Sequence, residues 1–163
     1  MSTYNKFNCF VEDLTGGAHD LFGTSGSTAN VLMILLTNTA PVAGDLVVDT
    51  TTTPCTVKAT SNAVEIAAGN GYTKKGAAVT NVGTRSTATF TMIGTKVVWT
   101  CVTNPMPTFR YVALYNDTAA TTATRPVIAW WDYGLGGVTL GVGETFSVKF
   151  NDSDTTGTIF TLA

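Results

Sequence analysis

The chain alternates apolar and polar residues in short runs of the kind that form β-strands. In STATFTMIG (86–94), Ala88, Phe90 and Met92 point one way and the intervening threonines point the other. GETFSVKF (143–150) alternates in the same way through its two phenylalanines and a valine. Both runs predict half-buried strands, with one face on a core and the other in water.

Other runs are apolar at nearly every position, which is typical of central strands. They are VLMILLTN (31–38), KVVWTCV (96–102), FRYVALY (109–115) and PVIAWWDYG (126–134). Shorter strands are predicted at LVV (46–48), TVKAT (56–60), NAVEIA (62–67), where Val64 and Ile66 share a face, and GTIFTLA (157–163). GNGYTKKG (69–76) is a glycine-rich loop. Short strands separated by turns predict an all-β fold, an antiparallel β-sandwich of the immunoglobulin-like or jelly-roll-like kind.

One short helix is predicted at the N-terminus, because apolar residues recur there at helical spacing and Gly16-Gly17 ends the run. Its apolar residues are Tyr4, Phe7, Phe10, Val11 and Leu14. We therefore expect an N-terminal helical segment (1–22) and a β-sandwich domain (23–163) that opens with the link GTSGST (23–28), a single domain overall. These five apolar residues form one stripe of the helix, which can pack on its own domain or on a neighbouring subunit.

The composition indicates an uncharged polar surface. Charged residues make up 12% of the chain, about half of the usual share of roughly 25%. The 32 threonines suit strands and turn a hydroxyl to water. The net charge is −2 and no basic cluster is longer than Lys74-Lys75, so we expect no nucleic-acid partner.

The N-terminus MSTYNKFNCF has neither the basic start nor the apolar stretch of a signal peptide. The longest strictly apolar run, VLMILL (31–36), has six residues, far fewer than the ~20 that span a bilayer. We expect synthesis in a cytoplasm and no membrane partner. An uncharged polar surface is common on proteins that work outside cells. Such a surface on a chain without a signal peptide suggests a particle that is released by lysis.

Few residues are suited to metal or redox chemistry. Cys9, Cys55 and Cys101 are widely spaced without a C-x-x-C pair, and Cys101 lies in a strand where burial is expected. His19 is the one histidine, so a histidine-based metal site or a Ser-His-Asp triad is not expected. It lies in a loop and is expected to be solvated. No cofactor is predicted.

The acidic residues offer two weak candidates for a site. Asp132 and Glu144 could form the acid and base of a glycosidase, although Asp132 is more simply an ordinary acid at a strand end. NDSDTTG (151–157) has the Asp-x-Asp pattern of a calcium loop but lacks the terminal glutamate. A turn explains it better, and we expect neither catalytic nor metal-binding residues.

Trp130 and Trp131 are adjacent, so in a strand they point to opposite faces. One tryptophan should face the core, and the other should be covered, lie in an interface or offer a platform for sugar. The alternation assigns Val127, Ala129, Trp131 and Tyr133 to one face and Ile128, Trp130 and Asp132 to the other.

Four passages together resemble short virion proteins of tailed bacteriophages and prophages. They are YNKFNCFVEDL (4–14) followed by His19, ILLTNTAPV (34–42), EIAAGNGYTKKG (65–76) and FRYVALYNDTA (109–119), which leads into WWDYG and GETFSVKF. The stretch GGAHDLFGTSGST (16–28) departs from that group, in which we expect a shorter connection between the helix and the first strand. The resemblance implies a particle component, either a capsid decoration (cement) protein or a tail-associated piece, and carries over no functional residues.

We therefore expect a non-enzymatic virion protein that decorates and stabilises the assembled head. The alternative is a tail-associated or receptor-binding module that recognises a host-surface glycan. Expected partners are the major capsid protein or other virion subunits, together with further copies of the chain in a homo-oligomer. The candidate interface residues are Tyr4, Phe7, Phe10, Trp130, Trp131 and Tyr133.

Overall fold

The fold is known from a computed structural model, which describes residues 3–21, 31–118, 125–134, 136–151 and 153–163. These residues form antiparallel sheets with one short N-terminal helix, so the predicted all-β sandwich is confirmed. The predicted link GTSGST (23–28) lies outside the described residues.

The helix is α1 (Phe10–Thr15). The strands are β1 (Thr3–Lys6), β2 (Leu32–Thr37), β3 (Val47–Asp49), β4 (Thr56–Lys58), β5 (Ala63–Val64), β6 (Ala77–Val79), β7 (Asn81–Ser86), β8 (Thr89–Thr95), β9 (Val97–Thr100), β10 (Tyr111–Asn116), β11 (Arg125–Asp132), β12 (Thr145–Val148) and β13 (Thr156–Leu162). The large sheet has the order β5-β4-β3-β11-β10-β2-β6, and β1 also pairs with β11. Two smaller sheets have the orders β12-β9 and β13-β8-β7.

The large sheet is covered on both faces. The main core joins one face to both smaller sheets and to α1 through residues such as Leu36, Met92, Trp99, Leu114 and Phe146. A second core covers the opposite face and contains Phe7, Cys9, Leu35, Val48, Cys55, Val57, Ala63, Ala113, Tyr115 and Val127. The two-sided burial explains why β2 and β10 are apolar at consecutive positions.

A bulge in β11 changes the predicted alternation. Leu114 lies opposite Ala129, but Tyr115 lies opposite Val127, so Ile128 is the extra residue. Ile128 and Ala129 both enter the main core, while Val127 enters the second core. The predicted faces of Val127 and Ile128 are therefore wrong, because period-two alternation holds only where no residue is inserted.

The first half of the predicted helix is wrong. Tyr4 belongs to β1 and lies opposite Trp131 in the antiparallel pair with β11. Phe7 lies in the second core and Phe10 in the main core, so the two rings do not form one stripe. A single short helix is marginal in water, whereas the free edge of β11 offers backbone hydrogen bonds that favour a strand here.

Two further strand predictions are corrected. Val64 is exposed and Ile66 is buried, because β5 ends at Val64 and the chain then bridges from Glu65 to Thr37. Val98 is exposed between buried Val97 and Trp99. Strand β9 is thus half-buried and not central, since it pairs with β12 alone in a two-stranded sheet.

Candidate functional site

The two adjacent tryptophans lie on opposite faces of β11, as predicted. Trp130 packs on the second core, with its ring centroid 4.8 Å from that of Phe7. Trp131 packs on the main core, 6.3 Å from Phe150. Both are half-buried. The expectation of only one core tryptophan is wrong, because the large sheet has a core on each side.

An aromatic strip formed by Tyr4, Trp131 and Tyr133 lies along β11 and its neighbour β1. Directly opposite residues of an antiparallel pair share a face, which places Tyr4 edge-on to Trp131 at 5.7 Å between centroids. Tyr4 remains 46% exposed. Tyr133 is half-buried and meets Phe146 edge-on at 5.1 Å. The strip is therefore anchored in the main core and exposes mainly Tyr4.

An ion pair lies at the same end of β11. Asp132 accepts two hydrogen bonds of 2.7 Å from the Arg110 guanidinium and one of 2.8 Å from the backbone N–H of Gly134. The Arg110 hydrogen bonds hold the pKa of Asp132 below its ordinary value. Asp132 thus stays ionised near neutral pH and is poorly suited to donate a proton as a general acid.

The other acids considered as site residues have local partners. Glu144 is exposed and accepts a 2.7 Å hydrogen bond from the backbone N–H of Gly141 within its turn. Asp154 pairs with Lys149, and Asp152 lies outside the described residues. Within the described ranges, no group of three or more His, Cys, Asp or Glu side chains is placed to hold a metal ion.

His19 is buried, which corrects the expectation of a solvated loop histidine. It is 4% exposed, with its ring centroid 5.4 Å from that of Phe10 and its Nδ1 3.3 Å from Nδ2 of Asn116. Burial lowers the pKa of His19 from 6.5 to about 4, although the charge of Asp13 acts in the opposite direction. No sequence signal links His19 to Asn116, which is 97 residues away.

A buried polar network around Glu65 was also missed. Glu65 accepts hydrogen bonds from the Tyr72 hydroxyl at 2.7 Å and from the backbone N–H of Cys55 at 3.0 Å. The Tyr72 hydroxyl accepts in turn from the Leu36 N–H at 3.1 Å. The network fastens the loop 69–76 to β2. The one signal for it is an acid inside the apolar run NAVEIA.

The cysteines are buried and free of disulfides, including Cys101 as predicted. Burial is the largest cause that raises the pKa of Cys9 and Cys55, each to about 12. Both thiols are therefore protonated at neutral pH and unreactive as nucleophiles.

Only some of the predicted interface residues are exposed in the structure. Phe7 and Phe10 are fully enclosed by their own chain, so the prediction that they face a partner is wrong. Tyr4, Trp130, Trp131 and Tyr133 retain exposed area. The candidate site is therefore the aromatic strip, whereas Trp130 and Asp132 project from the opposite face of β11.

Comparisons with known proteins return no significant match to a family model, a curated protein or a solved structure. Within the described residues, no helix is long and apolar enough to cross a membrane.

Proposed function

We propose that the protein is a non-enzymatic structural component of a bacteriophage particle that decorates and stabilises the assembled head. The observation that carries the proposal is the aromatic strip, which keeps Tyr4 exposed on two paired strands. The virion-protein resemblance of four sequence passages supports the same function. Tyrosine and tryptophan are enriched at the centres of protein interfaces.

Attachment through the strip would depend on apolar and hydrogen-bonded contact. The chain has nine basic and eleven acidic residues, and four ion pairs among the described residues already engage several of them. Long-range electrostatic attraction is therefore weak. A lattice repeats the same contact many times, so avidity holds the subunits even when a single contact is poor.

Among the described residues of the N-terminal segment, Tyr4 is the one that belongs to the strip. Removal of residues 1–22 would delete β1 and two core rings, Phe7 and Phe10, so the truncated chain would test folding and not attachment. A single change at Tyr4 is the cleaner probe, because its side chain is exposed and its strand is held by backbone pairing.

The experiment adds purified protein to undecorated heads of the virus that encodes the chain and measures occupancy and head melting temperature. We expect saturable binding, a raised melting temperature and little change in moderate salt. Tyr4→Ala should lower the affinity at least tenfold, whereas Val142→Ala, at a 59% exposed side chain that is not part of the strip, should not. If the parent protein neither binds heads nor raises their melting temperature, the decoration proposal fails.

A second candidate is a tail-associated module that binds a host-surface glycan. The observation in its favour is the exposed Tyr4 ring that packs edge-on against Trp131, since sugars bind exposed aromatic rings. A glycan array with the parent and Tyr4→Ala proteins separates the two functions. Binding that depends on Tyr4 favours the module, whereas the absence of array binding together with head occupancy favours decoration.

A further inference from the structure

An apolar cavity of about 240 Å³, open to solvent on one side, lies between the end of α1, the segment that follows it and the strands β8 and β13. Its lining residues are Leu14, His19, Asp20, Leu21, Phe90 and Leu162. Aliphatic and aromatic walls with a few polar groups are typical of small-molecule sites.

The hydrogen bonds around His19 define which nitrogen carries its proton. The Asn116 side-chain oxygen accepts from the backbone N–H of Thr118 at 2.9 Å, and its Nδ2 donates to the carbonyl oxygen of Ala18 at 3.3 Å. These two backbone groups orient the amide, so Nδ2 is the atom that faces Nδ1 of His19. Because Nδ2 can only donate, Nδ1 accepts, and the neutral ring carries its proton on Nε2.

The Nε2–H donor of His19 is buried and has no hydrogen-bond acceptor within the described part of the chain. A buried donor without an acceptor costs free energy that a bound acceptor recovers. The other ring nitrogen, Nδ1, is engaged by Asn116, and His19 is one of the residues that line the cavity. An acceptor placed in the cavity is therefore the natural partner of Nε2–H.

We propose that this cavity binds a small, neutral, largely apolar molecule that carries one carbonyl oxygen, such as an aryl ketone, aldehyde or ester. The carbonyl accepts from Nε2–H of His19, and the rest of the molecule fills the space between Leu14, Phe90 and Leu162. An anion is disfavoured, because Asp20 lines the same cavity and the charge of Asp13 reaches the ring. The site is independent of attachment to a particle.

The experiment titrates the intact protein with acetophenone and with ethylbenzene, which has nearly the same shape but no carbonyl. Binding is followed by the ¹⁵N shift of His19 Nε2 and by the thermal midpoint. We expect acetophenone to bind at least tenfold more tightly and to shift the Nε2 signal. Equal binding of the two probes, or an unmoved Nε2 signal at millimolar acetophenone, would overturn the proposal.

Two further comparisons sharpen the result. Benzoate should bind at least tenfold more weakly than acetophenone, and equal affinity would overturn the preference for a neutral ligand. His19→Phe keeps a ring but removes the N–H, so the preference for acetophenone over ethylbenzene should disappear. A persistent preference would show that His19 is not the donor. The comparison in the parent protein decides the proposal even if this variant folds poorly.

Discussion

At the scale of single residues, buried polar side chains fasten loops to the sheets. Asp45 is fully buried and accepts hydrogen bonds from the backbone N–H groups of Val42, Thr60 and Ser61 at 2.9, 2.8 and 2.8 Å. Glu65 acts in the same way between Cys55 and Tyr72. Each burial is tolerated because the carboxylate oxygens are hydrogen-bonded. Asp45 resembles a solvated loop acid in the sequence, and only its partners distinguish it.

The buried His19 predicts a loss of stability at mildly acidic pH. Its pKa is about 4 in the folded state against 6.5 ordinarily, so between these values the unfolded chain binds a proton that the folded chain does not. The free energy of unfolding should therefore fall as pH drops from 6.5 to 4, by up to about 3 kcal/mol. Urea unfolding at pH 7, 5.5 and 4.5 measures it.

The control for this prediction is His19→Gln, whose unfolding free energy should vary much less over the same interval. Asp49, Asp132 and Asp154 also have shifted pKa values, but theirs are lowered from 3.8. Their stabilising contributions are lost at lower pH than that of His19. An equally steep profile in the variant would assign the effect to other groups.

Gly76 is predicted to tolerate no side chain. It has a φ of +81°, and a Cβ there would lie 1.8 Å from the carbonyl oxygen of Ile34 in β2. Gly143 has a similar φ of +87° but open space around it. Gly143→Ala should cost only about 1–2 kcal/mol from the left-handed backbone. Gly76→Ala should cost several kcal/mol more or prevent folding, and equal melting temperatures of the two variants would contradict this.

At the scale of elements, β11 organises the molecule. One edge pairs with β10, while the other pairs with β3 near Arg125 and with β1 from Ala129 onward. The strand therefore needs three partners, of which β1 and β3 are distant in sequence. Its apolar run was predictable, but its partners and its bulge were not, because strand pairing depends on residues far along the chain.

Both tryptophans of β11 should contribute to stability. Trp130 contacts Phe7 and Trp131 contacts Phe150, so truncation leaves a gap in a different core in each case. Because both are half-buried, Trp130→Ala and Trp131→Ala should each cost about 2 kcal/mol, less than the 3–5 of a full core truncation. Chemical denaturation measures both.

The matched control for the tryptophans is Val98→Ala, a truncation at an exposed position of β9. It should change the unfolding free energy by less than about 0.5 kcal/mol. A tryptophan variant that behaves like this control would show that its ring is a surface platform and not part of a core.

At the scale of the whole molecule, we predict that folding requires no metal. Several acids have protein partners, such as Lys149 for Asp154 and Lys58 for Asp49. Thermal melts with EDTA and with excess calcium should coincide. A shift of many degrees with calcium would identify a site that involves the loop NDSDTTG.

The sequence by itself determined the all-β class, most strand positions and the opposite directions of Trp130 and Trp131. These properties follow from local periodicity and strand propensity, which neighbouring residues set. Only the tertiary structure decided that Tyr4 pairs in a strand, that Phe7 and Phe10 enter separate cores and that His19 is buried against Asn116. Each of these outcomes depends on contacts between residues far apart in the chain, because a free sheet edge or a second covered face can outweigh local preference.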